Sequence, residues 1–183
     1  MKKINVIDLD NTLLPYDSFR KYILIFLCNK KSFFYILHLI ILRKLRLLDS
    51  SAFKKRVIER SRKVDHYNDK MKNFSDQLFV DIDKSMIETV RSYTDSETVN
   101  ILCTASPEDY VKHMAELLGW KYIASQLDSE QNYFIHMSGP RKVETIRKLY
   151  SEDKFRYNFA ISDSKSDEEL LMAFGSYVMC RRF

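Results

Sequence analysis

Glycine, proline and cysteine are scarce in this chain, with three of each in 183 residues. So little Gly and Pro excludes a low-complexity or disordered chain, and no Ser- or Gly-rich linker and no internal repeat divides it. Three cysteines are an odd number. Cys28, Cys103 and Cys180 are widely spaced and form no CxxC pair. That excludes a disulfide frame and a zinc site, and suits buried thiols of a reducing compartment. A long apolar run is also missing. The stretch that is apolar nearly all round, Phe33 to Leu42, has ten residues, where a membrane-crossing helix needs about 20. The N-terminal Met-Lys-Lys precedes apolar residues, but Asp8 and Asp10 interrupt them too early for a signal peptide. The expected location is cytoplasmic.

Hydrophobic residues make up 45% of the chain, enough to bury a core. The length suits one domain, or a compact core with an insert. The net charge of +5 is unevenly spread. Arg20 to Lys63 holds thirteen Lys/Arg against two acids, Asp49 and Glu59, so the remainder is net acidic. Such a segment suits an anionic partner, whether phosphorylated substrate, membrane surface or nucleic acid, and equally a solvated helix face.

Short apolar runs at Ile4–Ile7, Val99–Cys103 and Tyr157–Ile161 end in acidic or hydroxylic turns, and a fourth lies at Tyr177–Met179. They read as buried strands. Helical patterns follow at Pro107–Leu118, with Gly119 as a stop, at Pro140–Tyr150 and at Ser166–Phe174. This alternation implies an α/β fold with a parallel sheet covered on both faces, whose ligands sit beyond the carboxyl ends of the strands. Residues 17–95 break the pattern. They read as helices only, at Ser18–Cys28, Ser32–Leu47, Ser51–Arg62 and roughly Lys70–Tyr93, and so as a helical cap inserted after the first strand. The core is then 1–16 and 96–183, with hinges near Pro15-Tyr16 and Thr94-Ser96. His38 reads as a packed core histidine. Tyr22 to Leu48, apolar and aromatic with basic flanks, reads as an interior face of the cap bundle; a surface on an anionic membrane is the other reading.

Four places carry chemistry. Asp8 and Asp10 leave the end of a buried strand together, followed by Asn11-Thr12-Leu13. One carboxylate can attack phosphorus while the other serves as acid and base. Thr104, at a strand end before a helix, offers a hydroxyl and nearby N–H groups to a phosphate oxygen, or, with Ser106, simply caps the helix. Lys142 lies in the first turn of the helix opened by Gly139-Pro140. It can neutralise a carboxylate and a phosphate together. Asp163 ends a strand and Asp167 lies a helical turn later, carboxylates of the kind magnesium takes alongside water and phosphate. Acids in a helix's first turn also complement its dipole, which accounts for Glu168 and Glu169.

In this order, Asp-x-Asp, Thr, Lys and Asp-x-x-x-Asp, the chain resembles the haloacid dehalogenase superfamily over nearly its whole length. The inserted helices and Thr104-Ala105-Ser106-Pro107-Glu108 resemble its phosphoserine-phosphatase-like branch, which carries a helical cap. The resemblance implies a Rossmann-like sheet and a magnesium-dependent phosphatase acting through a phosphoaspartate on Asp8. It implies Asp10 as general acid and base, Thr104 and Ala105 as phosphoryl-binding, and Lys142 as holding Asp8 and phosphate. Asp8, Asp10 through its carbonyl, Asp163 and Asp167 are the implied metal site. Asp17 stands where phosphoserine phosphatases carry a substrate-recognising acid, and Asp17-Ser18 is equally a natural helix cap. Asn11 and Ser162 stand where the family often has Gly, and Gln126–Gly139 leaves room only for a small hairpin. Asp10 speaks against a dehalogenase, because a halide needs no proton and an alkoxide does.

The expected activity is therefore hydrolysis of a small phosphomonoester. A phosphotransferase or mutase, a membrane-associated lipid-phosphate phosphatase, and an anion- or partner-binding protein retaining the fold are the alternatives; no nucleic acid is expected. One or more of Arg20, Lys54, Arg56 and Arg60 should face the cleft.

Overall fold

The structure, a computed structural model, describes residues 1–27, 30–128 and 130–180. Six strands form one sheet: β1 (Lys2–Ile7), β2 (Thr98–Pro107), β3 (Lys121–Asp128), β4 (Tyr133–Ile135), β5 (Phe155–Ser162) and β6 (Ser176–Met179). Their order is β4-β3-β2-β1-β5-β6. Every pairing is parallel except β3 with β4. The chain builds outward from β1 through β2 and β3, then crosses to β5 and β6 on the other side. β1 thus lies at the switch point, where open α/β sheets form their crevice.

Side chains alternate across the pleat, so each strand feeds two cores. Ile7, Leu102, Phe159 and Ile161 face one apolar layer. Ile4, Val6, Ile101, Cys103 and Ala160 face the other. The second layer is closed by α7 (Pro140–Leu149) and α8 (Glu168–Met172), through Val143, Ile146, Leu170 and Leu171. The first is closed by α6 (Glu108–Leu118) and by five helices between β1 and β2: α1 (Ser18–Leu27), α2 (Lys30–Lys44), α3 (Ser50–Ser61), α4 (Tyr67–Val80) and α5 (Lys84–Ser92). These inserted helices share their core with the sheet. Tyr22, Phe26, Met71 and Phe74 belong to the same cluster as Tyr110, Met114 and Leu102. Phe74 meets Tyr110 edge-on at 5.1 Å, and Ser75 donates to the Tyr110 carbonyl at 2.8 Å.

The helix ends follow from capping chemistry. Asp49 accepts from the Ala52 N–H at 2.9 Å and starts α3. Gly119, at φ +68°, closes α6 in the left-handed conformation that glycine adopts without strain. Asp83 corrects one expectation. Its side chain accepts from the Ser85 N–H at 3.0 Å, and its own N–H donates to the Leu13 carbonyl at 2.9 Å. A new helix therefore starts here, and the single helix expected over Lys70–Tyr93 is two. The hairpin anticipated between Gln126 and Gly139 is the pairing of Gln126–Asp128 with Tyr133–Ile135. Ser166–Phe174 shortens to a tight turn at Lys165–Asp167 and the five-residue α8.

A larger correction concerns α2. Ile36 and Leu39 are buried, but Phe34 is 79% exposed and Leu45 62%, and Ile41 and His38 are also exposed. Among the described residues its main packing is against α1 and α3, and the side that carries Phe34 and Ile41 faces outward. His38 is not a core histidine, and the outer side of this segment is not an interior face. Cys103 is a buried thiol, Cys180 is half-buried, and Cys28 lies outside the described residues.

At the foot of the sheet, three asparagines on adjacent strands bond in series. Asn158 donates to the Asn5 side-chain oxygen at 2.9 Å, and Asn5 donates to the Asn100 oxygen at 2.9 Å. Both amides also donate to the Tyr93 carbonyl, where the inserted helices return to the sheet.

Candidate active site

The carboxyl ends of β1, β2 and β5, with the start of α7, surround a cavity of about 250 Å³. Its walls bring together Asp8, Asp10, Asp17, Thr104, Ala105, Lys142, Asp163 and Asp167. Every site residue expected from the sequence lies there. Their separations in the chain are large, so only the fold assembles them.

Asp8 follows directly on β1, and its N–H donates to the Ile161 carbonyl of β5 at 2.9 Å. The chain then makes one wide turn, Leu9–Leu13, closed by the Leu14 N–H on the Leu9 carbonyl. Asn11 sits in it at φ +53°. This left-handed backbone explains why glycine suits the position, and asparagine is among the side chains that tolerate it.

Lys142 is buried and holds the site's centre. Its Nζ lies 3.0 Å from Asp8 Oδ1 and 2.6 Å from Asp167 Oδ2. Gly139, at φ +54°, turns the chain into α7 and so aims this lysine inward. Burial lowers the pKa of Lys142, but the charges of Asp8 and Asp167 outweigh burial and hold it above its ordinary value. Burial pushes Asp8 up to about 7 against the pull of Lys142. Asp167 also accepts from Ser162 at 2.8 Å. Its nearest contacts are thus the lysine and a hydroxyl.

Asp10 is held differently. The Ser18 N–H donates to its Oδ1 at 2.7 Å and Ser106 Oγ to its Oδ2 at 2.6 Å. Ser18 and Ser106 hydroxyls meet at 3.1 Å, and Ser18 also meets the buried Tyr110 hydroxyl at 2.8 Å. Burial raises the pKa of Asp10, and the bonds from Ser106 and Ser18 offset part of that rise. Neither Thr104 nor Ser106 caps α6, which starts after Pro107. Thr104 Oγ1 instead accepts from the Ser106 N–H at 3.1 Å. Asp163 has its N–H fixed by Thr12 Oγ1 at 3.0 Å.

From the inserted helices come Asp17 and Lys54. Asp17 Oδ1 accepts from the Phe19 N–H at 2.9 Å, so this residue caps α1 and lines the cavity as well. Lys54 of α3 donates to the Ala105 carbonyl at 2.8 Å. Burial lowers its pKa, against Asp10 and Asp17. Of the four basic residues considered, Lys54 faces the cleft. Arg20 and Arg56 are exposed, and Arg60 lies over the Tyr35 ring. Ser106, Ser162 and Thr12 were not singled out as site residues from the sequence. A hydroxyl two residues beyond Thr104 and another before Asp163 are the only signals they leave.

A haloacid dehalogenase-like hydrolase family model matches residues 6–172, and the chain belongs to that family of hydrolases. No curated protein sequence matches it. Solved structures show the same fold. A Bordetella pertussis Tohama I protein of unknown function has a TM-score of 0.76 at 15% identity, covering 98% of this chain and 90% of that one. A phosphoserine phosphatase, solved as a phospho-aspartyl intermediate analogue, gives 0.58 at 13%, covering 97% and 86%. A phosphoserine phosphohydrolase-like protein from Francisella tularensis gives 0.58 at 14%, covering 98% and 87%.

Proposed function

We propose that this chain is a magnesium-dependent phosphatase that hydrolyses a small phosphomonoester through a phosphoaspartate on Asp8. The observation that carries this reading is the meeting of Asp8, Asp10 and Lys142 in one cleft at the carboxyl ends of the strands. Asp8 is paired with Lys142, which favours its ionised form as a nucleophile. Asp10 accepts from the Ser18 N–H and from Ser106 Oγ, which hold its carboxyl in the same cleft, in place to pass a proton to the leaving group and take one from water.

In the first step an Asp8 oxygen attacks phosphorus, the ester P–O bond breaks, and the Asp10 proton passes to the leaving alkoxide. In the second, Asp10 takes a proton from water. The resulting hydroxide attacks phosphorus, and the Asp8–phosphorus bond breaks. Lys142 and the Thr104–Ala105 turn offset charge on the phosphoryl oxygens. Asp167 and Ser162 keep Lys142 aimed.

Among the described residues no three Asp, Glu, His or Cys side chains form a ready cation cage. Magnesium asks for less, since it binds through one or two carboxylates and keeps several waters. Asp8, Asp163 and the Asp10 carbonyl would supply a donor set of that chemistry from residues that line the cavity, with Asp167 acting through Lys142. Bound there, the ion would neutralise phosphoryl charge.

Residues 17–95 would serve as the cap. Asp17 and Lys54 would read the leaving group, and the cavity suits a small one. A rapid-quench experiment with an isotopically labelled phosphate ester tests the mechanism. Label should bind the protein covalently and be released by hydroxylamine, and Asp8→Asn should abolish both labelling and turnover. Undiminished turnover by Asp8→Asn, or in excess chelator, would sink the proposal.

A further inference from the structure

The outer face of α2 is at odds with its composition. A helix apolar all round is ordinarily buried all round, yet Phe34, Leu37, Ile41 and Leu45 are exposed. Their spacing, at i, i+3, i+7 and i+11, puts them in one stripe along the helix and the turn that follows it, where the Leu45 N–H still donates to the Ile41 carbonyl. Phe33 joins Phe34 edge-on at 5.3 Å, and Leu47 extends the stripe into the following turn at 71% exposure. Monomeric proteins rarely leave so continuous an apolar surface to water without a partner for it.

Charge decides which partner. From Arg20 to Leu48 the chain holds seven Lys/Arg and not one Asp or Glu. Arg43, Lys44 and Arg46 stand exposed where the stripe ends. A second copy of this chain docked on the same face would set basic residues against basic residues. A sheet of anionic headgroups instead complements the charges while its acyl boundary takes up the Phe, Leu and Ile side chains. The helix has fifteen residues, about 22 Å of length, against a hydrocarbon core of about 30 Å. No helix among the described residues is long and apolar enough to cross a membrane. The orientation that fits is therefore flat on the surface.

We infer that α2 docks this protein onto anionic phospholipid bilayers, with Phe34, Leu37, Ile41 and Leu45 inserted and Arg43, Lys44 and Arg46 on the headgroups. The inference rests on the cap surface alone and is tested without turnover, so it stands or falls apart from the proposed chemistry.

The experiment is vesicle co-sedimentation of the whole chain. Vesicles of phosphatidylcholine containing roughly a third phosphatidylglycerol should carry the protein down, at least about tenfold more than phosphatidylcholine alone, and salt should weaken the binding. Phe34→Glu with Ile41→Glu should lower partitioning about tenfold or more. Arg43→Gln, Lys44→Gln and Arg46→Gln should each cost about fivefold. Thermal unfolding should match the parent in every variant, because these side chains are exposed. Absence of binding to anionic vesicles overturns the inference, as does equal binding by the Phe34/Ile41 variant. So does a concentration-dependent dimer in analytical ultracentrifugation that this variant abolishes while vesicles bind nothing; that result gives the face to a second copy.

Discussion

The two walls of the cleft are built to different standards. On the sheet side, Lys142, Asp8, Asp167 and Ser162 are linked by contacts of 2.6 to 3.0 Å and are buried. Asp10 has a fixed donor on each oxygen. On the side of the inserted helices, Asp17 and Lys54 reach the cavity, and one is occupied with capping a helix while the other rests on a backbone carbonyl. The difference suggests that the reaction is preorganised and the choice of substrate is lightly held. A phosphoryl group demands the same charges whatever it is attached to. A leaving group can be read by one or two contacts that rearrange on binding.

Substitutions on the two walls should therefore differ in kind. Lys142→Ala should have the largest effect, because it strands two buried carboxylates. Loss of activity should come with about 3–5 kcal/mol of lost stability, measured by denaturant unfolding. Next comes Asp10→Asn, which should keep the fold and substrate binding while lowering kcat about 10²–10⁴-fold. A near-normal rate with a poor leaving group would show that Asp10 is not the acid. On the opposite wall, Lys54→Ala should raise KM for the natural substrate about tenfold, as befits one hydrogen bond from a charged group, and leave a small aryl phosphate almost unaffected. If kcat for the aryl ester fell as far, Lys54 would belong with the chemistry and the two walls would be alike. The smallest effect belongs to Asn11→Gly. It relieves a left-handed backbone at the expense of chain entropy, so stability should move by less than about 1 kcal/mol, with turnover retained.

Most of the chemistry was legible because each motif is a short apolar strand running into a turn with a charged or hydroxyl residue. Asp8, Thr104 and Asp163 announce themselves this way, and the order of motifs supplies the rest. What escaped notice has weak local signals. Ser106 and Ser162 are ordinary residues until the fold sets them against Asp10 and Asp167. β3 has few strand-forming residues in Lys121–Asp128 and owes its existence to pairing with β2. Asp83 looks like any helical acid, and its capping role follows from where Leu13 lies. α2 misled for the opposite reason. Its composition spoke clearly of burial, and composition cannot say how many neighbours a helix will have.

The asparagine chain at the foot of the sheet works as a gauge for the site at its other end. Asn5 stands three residues before Asp8, Asn100 four before Thr104, and Asn158 five before Asp163. A strand sliding by one residue would carry its reactive group about 3.3 Å and turn it to the wrong face. The same slide would leave the buried Asn5 amide without its partners, at a cost of about 1–3 kcal/mol. Apolar contacts alone discriminate poorly between such registers, since one Ile or Val replaces another. Three linked amides do not permit the exchange, so the heights of Asp8, Thr104 and Asp163 above the sheet are set far from any substrate.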